Sequence, residues 1–146
     1  MCDSQVPIPR PAEDEVLVQI VASGLCHTDI HLIDGELNLG KGRLPLCPGH
    51  EGVGIITEKG ASVNFLEIGD RVGIFWLNST CGRCEFCLSG KEPFCTSLTN
   101  TGYTVPGCFR QYAIAKATNV IPIPTELDSL QAARKLSRKF PDYNLI

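Results

Sequence analysis

Short runs of β-branched and apolar residues recur along this chain, each closed off by glycine, proline or polar residues, and that rhythm predicts strands. Residues 7–13 (PIPRPAE) form a proline-rich, extended lead-in to the first of them, 15–22 (EVLVQIVA). Runs 52–57 (GVGIIT), 71–76 (RVGIFW), 109–115 (FRQYAIA) and 119–121 (NVI) follow, apolar or alternating. The pattern predicts a β-rich barrel or sandwich. A helical period shows only near the end, with Thr125 as N-cap, Glu126 and Asp128 in the first turn and Leu127, Leu130, Ala133 and Leu136 on one face. Arg134, Lys135, Arg138 and Lys139 make its far face basic, and Pro141 stops it.

Composition narrows the class. The 146 residues, 43% hydrophobic and 20% charged, suit one soluble globular domain with a real core. Fourteen glycines and ten prolines, spread without an internal repeat, indicate many tight turns. No apolar run approaches the ~20 residues that cross a bilayer, and Met1-Cys2-Asp3-Ser4 has no signal-peptide character, so no membrane role and a cytoplasmic location are expected. A net charge of −3 offers no basic field for a phosphate backbone, which argues against a nucleic-acid partner.

Cys81, Cys84, Cys87 and Cys95 have the spacing C-x2-C-x2-C-x7-C. Tetrahedral zinc takes four thiolates, and tight turns between cysteines three apart let the sulfurs converge on one ion. The residues between them are polar and glycine-punctuated, with little apolar surface to bury, so metal must supply the order. Iron–sulfur binding is the rival, but the ferredoxin run has its fourth cysteine after x3 and before proline, whereas Cys95 follows x7 and precedes Thr96. A disulfide pair or free thiols remain as further alternatives.

A second constellation lies in 24–31 (GLCHTDIH) and 48–52 (PGHEG), where Cys26 and His50 could supply two of three protein ligands to an open zinc. Each residue alone has an ordinary reading, as core filler or as a satisfied polar group. Gly49-His50-Glu51-x2-Gly54-x5-Gly60-x2-Val63, running into Gly69-Asp70-Arg71-Val72, resembles the signature of the zinc-dependent alcohol dehydrogenases of the medium-chain dehydrogenase/reductase family. The resemblance spans about residues 6–133, with the four-cysteine lobe following in the family's order.

The resemblance implies a mainly β, GroES-like, partly open barrel over 6–124, a zinc-binding lobe at 78–98, and a helix with a divergent tail at 125–146. It implies a structural zinc on Cys81, Cys84, Cys87 and Cys95, a catalytic zinc on Cys26 and His50, and oxidation of a small alcohol to an aldehyde or ketone with NAD. By the same matching Thr28 takes the alcohol proton toward His31, Asp29 orients a ligand, and Glu51 approaches the metal when water leaves. His27 falls at the position used for the coenzyme pyrophosphate, and Trp76 and Leu77 are candidates for the alcohol pocket; solvated loop or core packing is the plain alternative for each.

The chain also departs from the family. Where a third zinc-ligating cysteine should follow 128–133, the sequence reads RKLSRKF, and no cysteine occurs after Cys108. No G-x-G-x-x-G fingerprint follows a strand, so no Rossmann domain is expected. The chain starts where the family's first hairpin should have passed, leaving a barrel edge unpaired. Together these features predict a truncated catalytic domain, inactive alone. The competing reading is a zinc-stabilised, non-catalytic module that pairs with itself or with intact relatives. Cys47 is a minor candidate for the missing ligand; Cys2 and Cys108 carry no assigned role.

Overall fold

A computed structural model describes residues 5–39 and 44–136. The first strand, β1 (Glu15–Ser23), buries Val16, Leu17 and Val18 in succession, so both of its faces are covered and it takes the middle of a sheet. It pairs antiparallel with β2 (Gly52–Lys59) and β6 (Tyr112–Lys116); β3 (Arg71–Ile74) pairs with β2, and β7 (Val120–Pro122) with β3. The sheet order is therefore β6-β1-β2-β3-β7. Two register shifts in the β1–β2 ladder, at Leu17/Val18 and between Ile20 and Ala22, add the twist that curls the sheet into a half-barrel.

Val16, Val18, Ile56, Val63, Leu66, Val72, Ile74, Ala113 and Ala115 fill one side of this sheet. A second cluster, Ala22, Val53, Ala132, Ala133 and Leu136, lies under the helix α3 (Ser129–Leu136). The fold is thus the mainly β, GroES-like partial barrel expected, with a helix packed on it. No described helix is long and apolar enough to cross a membrane.

Several boundaries differ from the sequence reading. The run 71–76 leaves the sheet at Ile74, and 109–115 joins it only at Tyr112, because the Cys108 and Phe109 N–H groups donate instead to Gly49 and Pro48 carbonyls at 2.9 and 3.0 Å. The C-terminal helix is capped by Asp128, not Thr125: the Asp128 carboxylate accepts the Leu130 and Gln131 N–H groups at 2.8 and 3.1 Å. The turn before it is held by Arg71, which donates to the Leu127 carbonyl at 2.6 Å and to that of Pro124. Leu130 faces solvent, and Ala132 joins Ala133 and Leu136 in the core in its place. Arg138, Lys139 and Pro141 lie outside the described residues.

Several short elements were not anticipated. Residues 27–33, read as loop, form α1 (His27–Ile33). A two-stranded ribbon of β4 (Leu77–Ser79) and β5 (Thr99–Asn100) stands at the base of the cysteine lobe, cross-linked by Ser79 and Thr99 hydroxyls 2.6 Å apart.

At the β1–β6 end of the sheet, Lys116 Nζ lies 2.9 Å from Asp14 Oδ1 and 3.0 Å from Glu15 Oε1. The bond to Lys116 holds the Asp14 carboxyl below its usual 3.8, and the bond to Asp14 raises Lys116 above 10.5. A depressed acid stabilises above its unfolded pKa and loses that contribution as pH falls through the folded value; a raised base loses it as pH rises through its own. The pair therefore contributes between about pH 4 and pH 10.5. Because Asp14 is largely exposed, Lys116→Met should cost under ~1 kcal/mol in urea unfolding at neutral pH, with the difference from the parent chain closing as the buffer is acidified.

Candidate metal centres

The cysteine lobe has no core of its own. Its short helix α2 (Glu85–Leu88) buries no residue, Leu88 and Phe94 are exposed, and the Phe86 and Phe94 rings sit 6.0 Å apart. What converges is sulfur: the four Sγ atoms of Cys81, Cys84, Cys87 and Cys95 all lie within 4.8 Å of one another. Cys87 Sγ is 3.9 Å from Cys81 Sγ and 3.5 Å from Cys84 Sγ. A tetrahedron with zinc–sulfur bonds of about 2.3 Å has edges of about 3.8 Å, so the group encloses one such ion. Disulfide sulfurs stand ~2.05 Å apart, and all seven described cysteines are free thiols.

Backbone N–H groups of Cys81 and Cys84 point at Cys95 and Cys81 sulfurs, each at 3.4 Å. Donors from the Arg83 and Cys84 backbone pull the Cys81 thiol to about 6. At Cys84 the Cys87 N–H pulls the same way, but desolvation and the adjoining sulfurs prevail and push it to about 11. Four thiolates cannot share this space without a cation to neutralise them.

The second cluster is enclosed, with Cys26 half-buried and its two partners buried. Ligand atoms of Cys26, His50 and Glu51 lie within 4.8 Å of one another, with His50 and Glu51 each 5% exposed. Cys26 stands at the start of α1, whereas His50 and Glu51 run into β2 from the Pro48–Gly49 turn. Asp29, 1% exposed, ties these segments together: its carboxylate accepts the Cys26 N–H and the Gly49 N–H, each at 3.0 Å, and Oδ1 lies 3.4 Å from His50 Nδ1. Nδ1 makes no aligned hydrogen bond and is a buried polar atom facing the Asp29 carboxylate. Burial alone would raise Asp29, but His50 and the two N–H donors hold it below 3.8. Burial alone would lower His50, and Asp29 reverses this. With Nδ1 turned to Asp29, Nε2 is the nitrogen left to donate to a metal, the carboxylate–histidine arrangement of zinc sites.

A buttress behind the Pro48–Gly49 turn escaped the sequence reading. The Gly107 N–H donates to the Cys47 carbonyl at 2.7 Å, and a Cβ on Gly107 would fall 2.1 Å from the Gly49 carbonyl oxygen. Only glycine permits this approach. The Val105-Pro106-Gly107 turn signal was the available clue.

Thr28 Oγ1 is 3.6 Å from Cys26 Sγ, at the edge of the cluster. Trp76 meets His50 edge-on with centroids 4.9 Å apart and is backed by Tyr103 at 5.9 Å, whereas Leu77 is a buried β4 residue. His27 and His31 lie further out on α1, with rings 4.6 Å apart and His31 hydrogen-bonded to Glu36. Cys47 is not among the clustered ligands: its thiol points at the Pro48 and Gly107 carbonyls, and burial pushes its pKa up. Cys108 is core, pushed to about 12 by desolvation. Cys47→Ser should leave metal content per chain unchanged in elemental analysis; a lost equivalent would make it a ligand.

The curled β half-barrel thus carries a four-sulfur lobe and a Cys–His–Glu cluster, each with donor atoms close enough to share one ion. The alcohol dehydrogenase GroES-like domain matches residues 12–125, and the chain belongs to that family. An alcohol dehydrogenase of Schizosaccharomyces pombe is 48% identical over 120 residues, which is 82% of this chain and 34% of the relative. The chain thus spans about a third of the length of the curated relatives it matches. The crystal structure of an NAD-dependent alcohol dehydrogenase superposes with a TM-score of 0.81 at 31% identity, covering 89% of this chain and 37% of that one. A cobalt- and zinc-bound thermostable alcohol dehydrogenase from Pyrobaculum aerophilum does so with a TM-score of 0.78 at 28% identity, covering 88% and 38%.

Proposed function

We propose that this chain is the zinc-binding catalytic portion of an alcohol dehydrogenase, acting in the complete enzyme on a small alcohol that becomes an aldehyde or ketone as NAD+ becomes NADH and a proton is released. The observation that carries this reading is the buried Cys26–His50–Glu51 cluster with Asp29 behind it. Glu51 supplies the third donor that the absent cysteine leaves open. A zinc held there would act as a Lewis acid toward an alcohol oxygen and lower its pKa. Asp29 keeps the His50 ring in place, Thr28 Oγ1 accepts the alcohol proton, and His31, half-exposed one turn along α1, delivers it to solvent. The lobe cysteines hold a second, structural zinc.

The chain contains no G-x-G-x-x-G fingerprint to bind a dinucleotide, so on its own it should not reduce NAD in the presence of alcohols. The test is zinc per chain before and after a mild chelator. Two zincs are expected, the three-donor site emptying first and the lobe site resisting. Cys26→Ser should abolish only the labile equivalent, and an unchanged labile zinc in that variant would sink the assignment. Alcohol turnover by the purified chain would overturn the claim of inactivity.

A further inference from the structure

α1 carries an arrangement that neither metal cluster uses. His27 and His31 stand four residues apart, hence on one helix face, with ring centroids 4.6 Å apart and planes inclined by 42°. Gly35, at φ +77°, turns the chain after the helix so that the Glu36 N–H donates to the His31 carbonyl at 2.9 Å and the Glu36 carboxylate binds His31 Nδ1. With Nδ1 engaged by the Glu36 carboxylate, Nε2 is the nitrogen of the neutral ring left to bind a metal.

The spacing of the rings is that of a chelate. With metal–nitrogen bonds of about 2.1 Å, the ring centre lies about 3.2 Å from the ion, and two imidazoles at a right angle have centroids about 4.6 Å apart. At a tetrahedral angle the separation grows to about 5.3 Å. The observed value matches the right-angle geometry, which suits copper(II) and nickel(II), metals that imidazole binds well. Helix geometry also places histidines four apart in a zinc-binding helix for the same reason.

We infer that His27 and His31, with Glu36 orienting the latter, form a surface chelate for a divalent transition-metal ion such as nickel or copper, distinct from the Cys26–His50–Glu51 cluster. His27 and the half-exposed His31 lie on the outer side of α1, so the ion's remaining positions would face solvent. On the alcohol dehydrogenase reading proposed above, such an ion would occupy the nitrogen through which His31 releases protons; the binding itself does not depend on that reading.

The test is a nickel titration of the zinc-loaded chain, followed by NMR of its three histidine rings. The His27 and His31 signals should broaden together at the lowest nickel additions, before His50. His27→Gln should require at least about tenfold more nickel to broaden His31, and Glu36→Gln about tenfold more to broaden either ring. Both positions are exposed, so the amide spectrum serves as the check that each variant is folded. Equal nickel dependence of His31 in the parent chain and in His27→Gln would mean single-imidazole binding and overturn the chelate. So would broadening of His50 first. Because the readout is metal position rather than turnover, failure here leaves the zinc assignment standing, and loss of alcohol chemistry leaves the chelate standing.

Discussion

Cys84→Ser should release one tightly held zinc per chain and unravel residues 80–98 while leaving the five-stranded sheet folded. Structural zinc on thiolates contributes an apparent ~10–16 kcal/mol in small metal-folded units, and this lobe has nothing comparable to replace it. No residue of α2 is buried, and the ribbon that anchors the lobe comprises only Leu77–Ser79 and Thr99–Asn100. The sheet core, by contrast, draws on none of the lobe's residues. Loss of the ion should therefore appear as local opening. Elemental analysis would read the missing zinc, and limited proteolysis would cut within the lobe while β1, β2 and β3 keep their amide protection. A Cys84→Ser chain that retained its full zinc and resisted protease would show that sulfur, not metal, orders this region.

Gly107→Ala should have the reverse signature, sparing the lobe and disrupting the buried cluster. Its new Cβ would meet the Gly49 carbonyl oxygen at 2.1 Å, the Pro48 carbonyl oxygen at 2.5 Å and Gly102 Cα at 2.7 Å, all backbone. None of these can rotate aside. The Pro48–Gly49 turn must shift, and with it His50, whose neighbour Gly49 is bonded to Asp29. Overpacking commonly costs ~1–3 kcal/mol, and rigid backbone on three sides puts this case at the top of that range or beyond. Ile56→Ala is the control: a fully buried side chain in β2, its loss should cost ~2–5 kcal/mol through a cavity without touching a ligand. Urea midpoints should fall for both variants, whereas the labile zinc should be lost from Gly107→Ala alone. Equal retention in both would detach the Gly107 contact from the metal site.

The strands of the barrel were legible in the sequence because 15–22 and 52–57 concentrate β-branched residues where the sheet is covered on both faces. The four-cysteine cluster was legible because that spacing lets the four sulfurs converge. α1 was not, since its residues are mostly polar and only Asp29 is buried, so it has no apolar period; the Asp29 carboxylate on the Cys26 N–H replaces the usual serine or threonine at its start. The helix cap was misplaced from Asp128 to Thr125 because Glu126 and Asp128 suit a first turn in composition, and Arg71, from a distant strand, decides where the turn ends. β4 and β5 are three and two residues long and partly polar, too short for any period. Cys26, His50 and Glu51 all emerged from motifs, whereas the meeting of Cys26 with the other two and the Gly107 buttress are products of tertiary folding.

Asp29 has a consequence for how this site can change over generations. One carboxylate begins a helix, pins a turn and faces the ring of His50. Asparagine would offer one acceptor oxygen where two N–H groups now bind, and glutamate would set the group a methylene too far out. Selection that favours a different ligand basicity cannot act there without also acting on whether Cys26 and His50 meet at all. The position is pleiotropic at the scale of a single side chain, so drift should be arrested at Asp29.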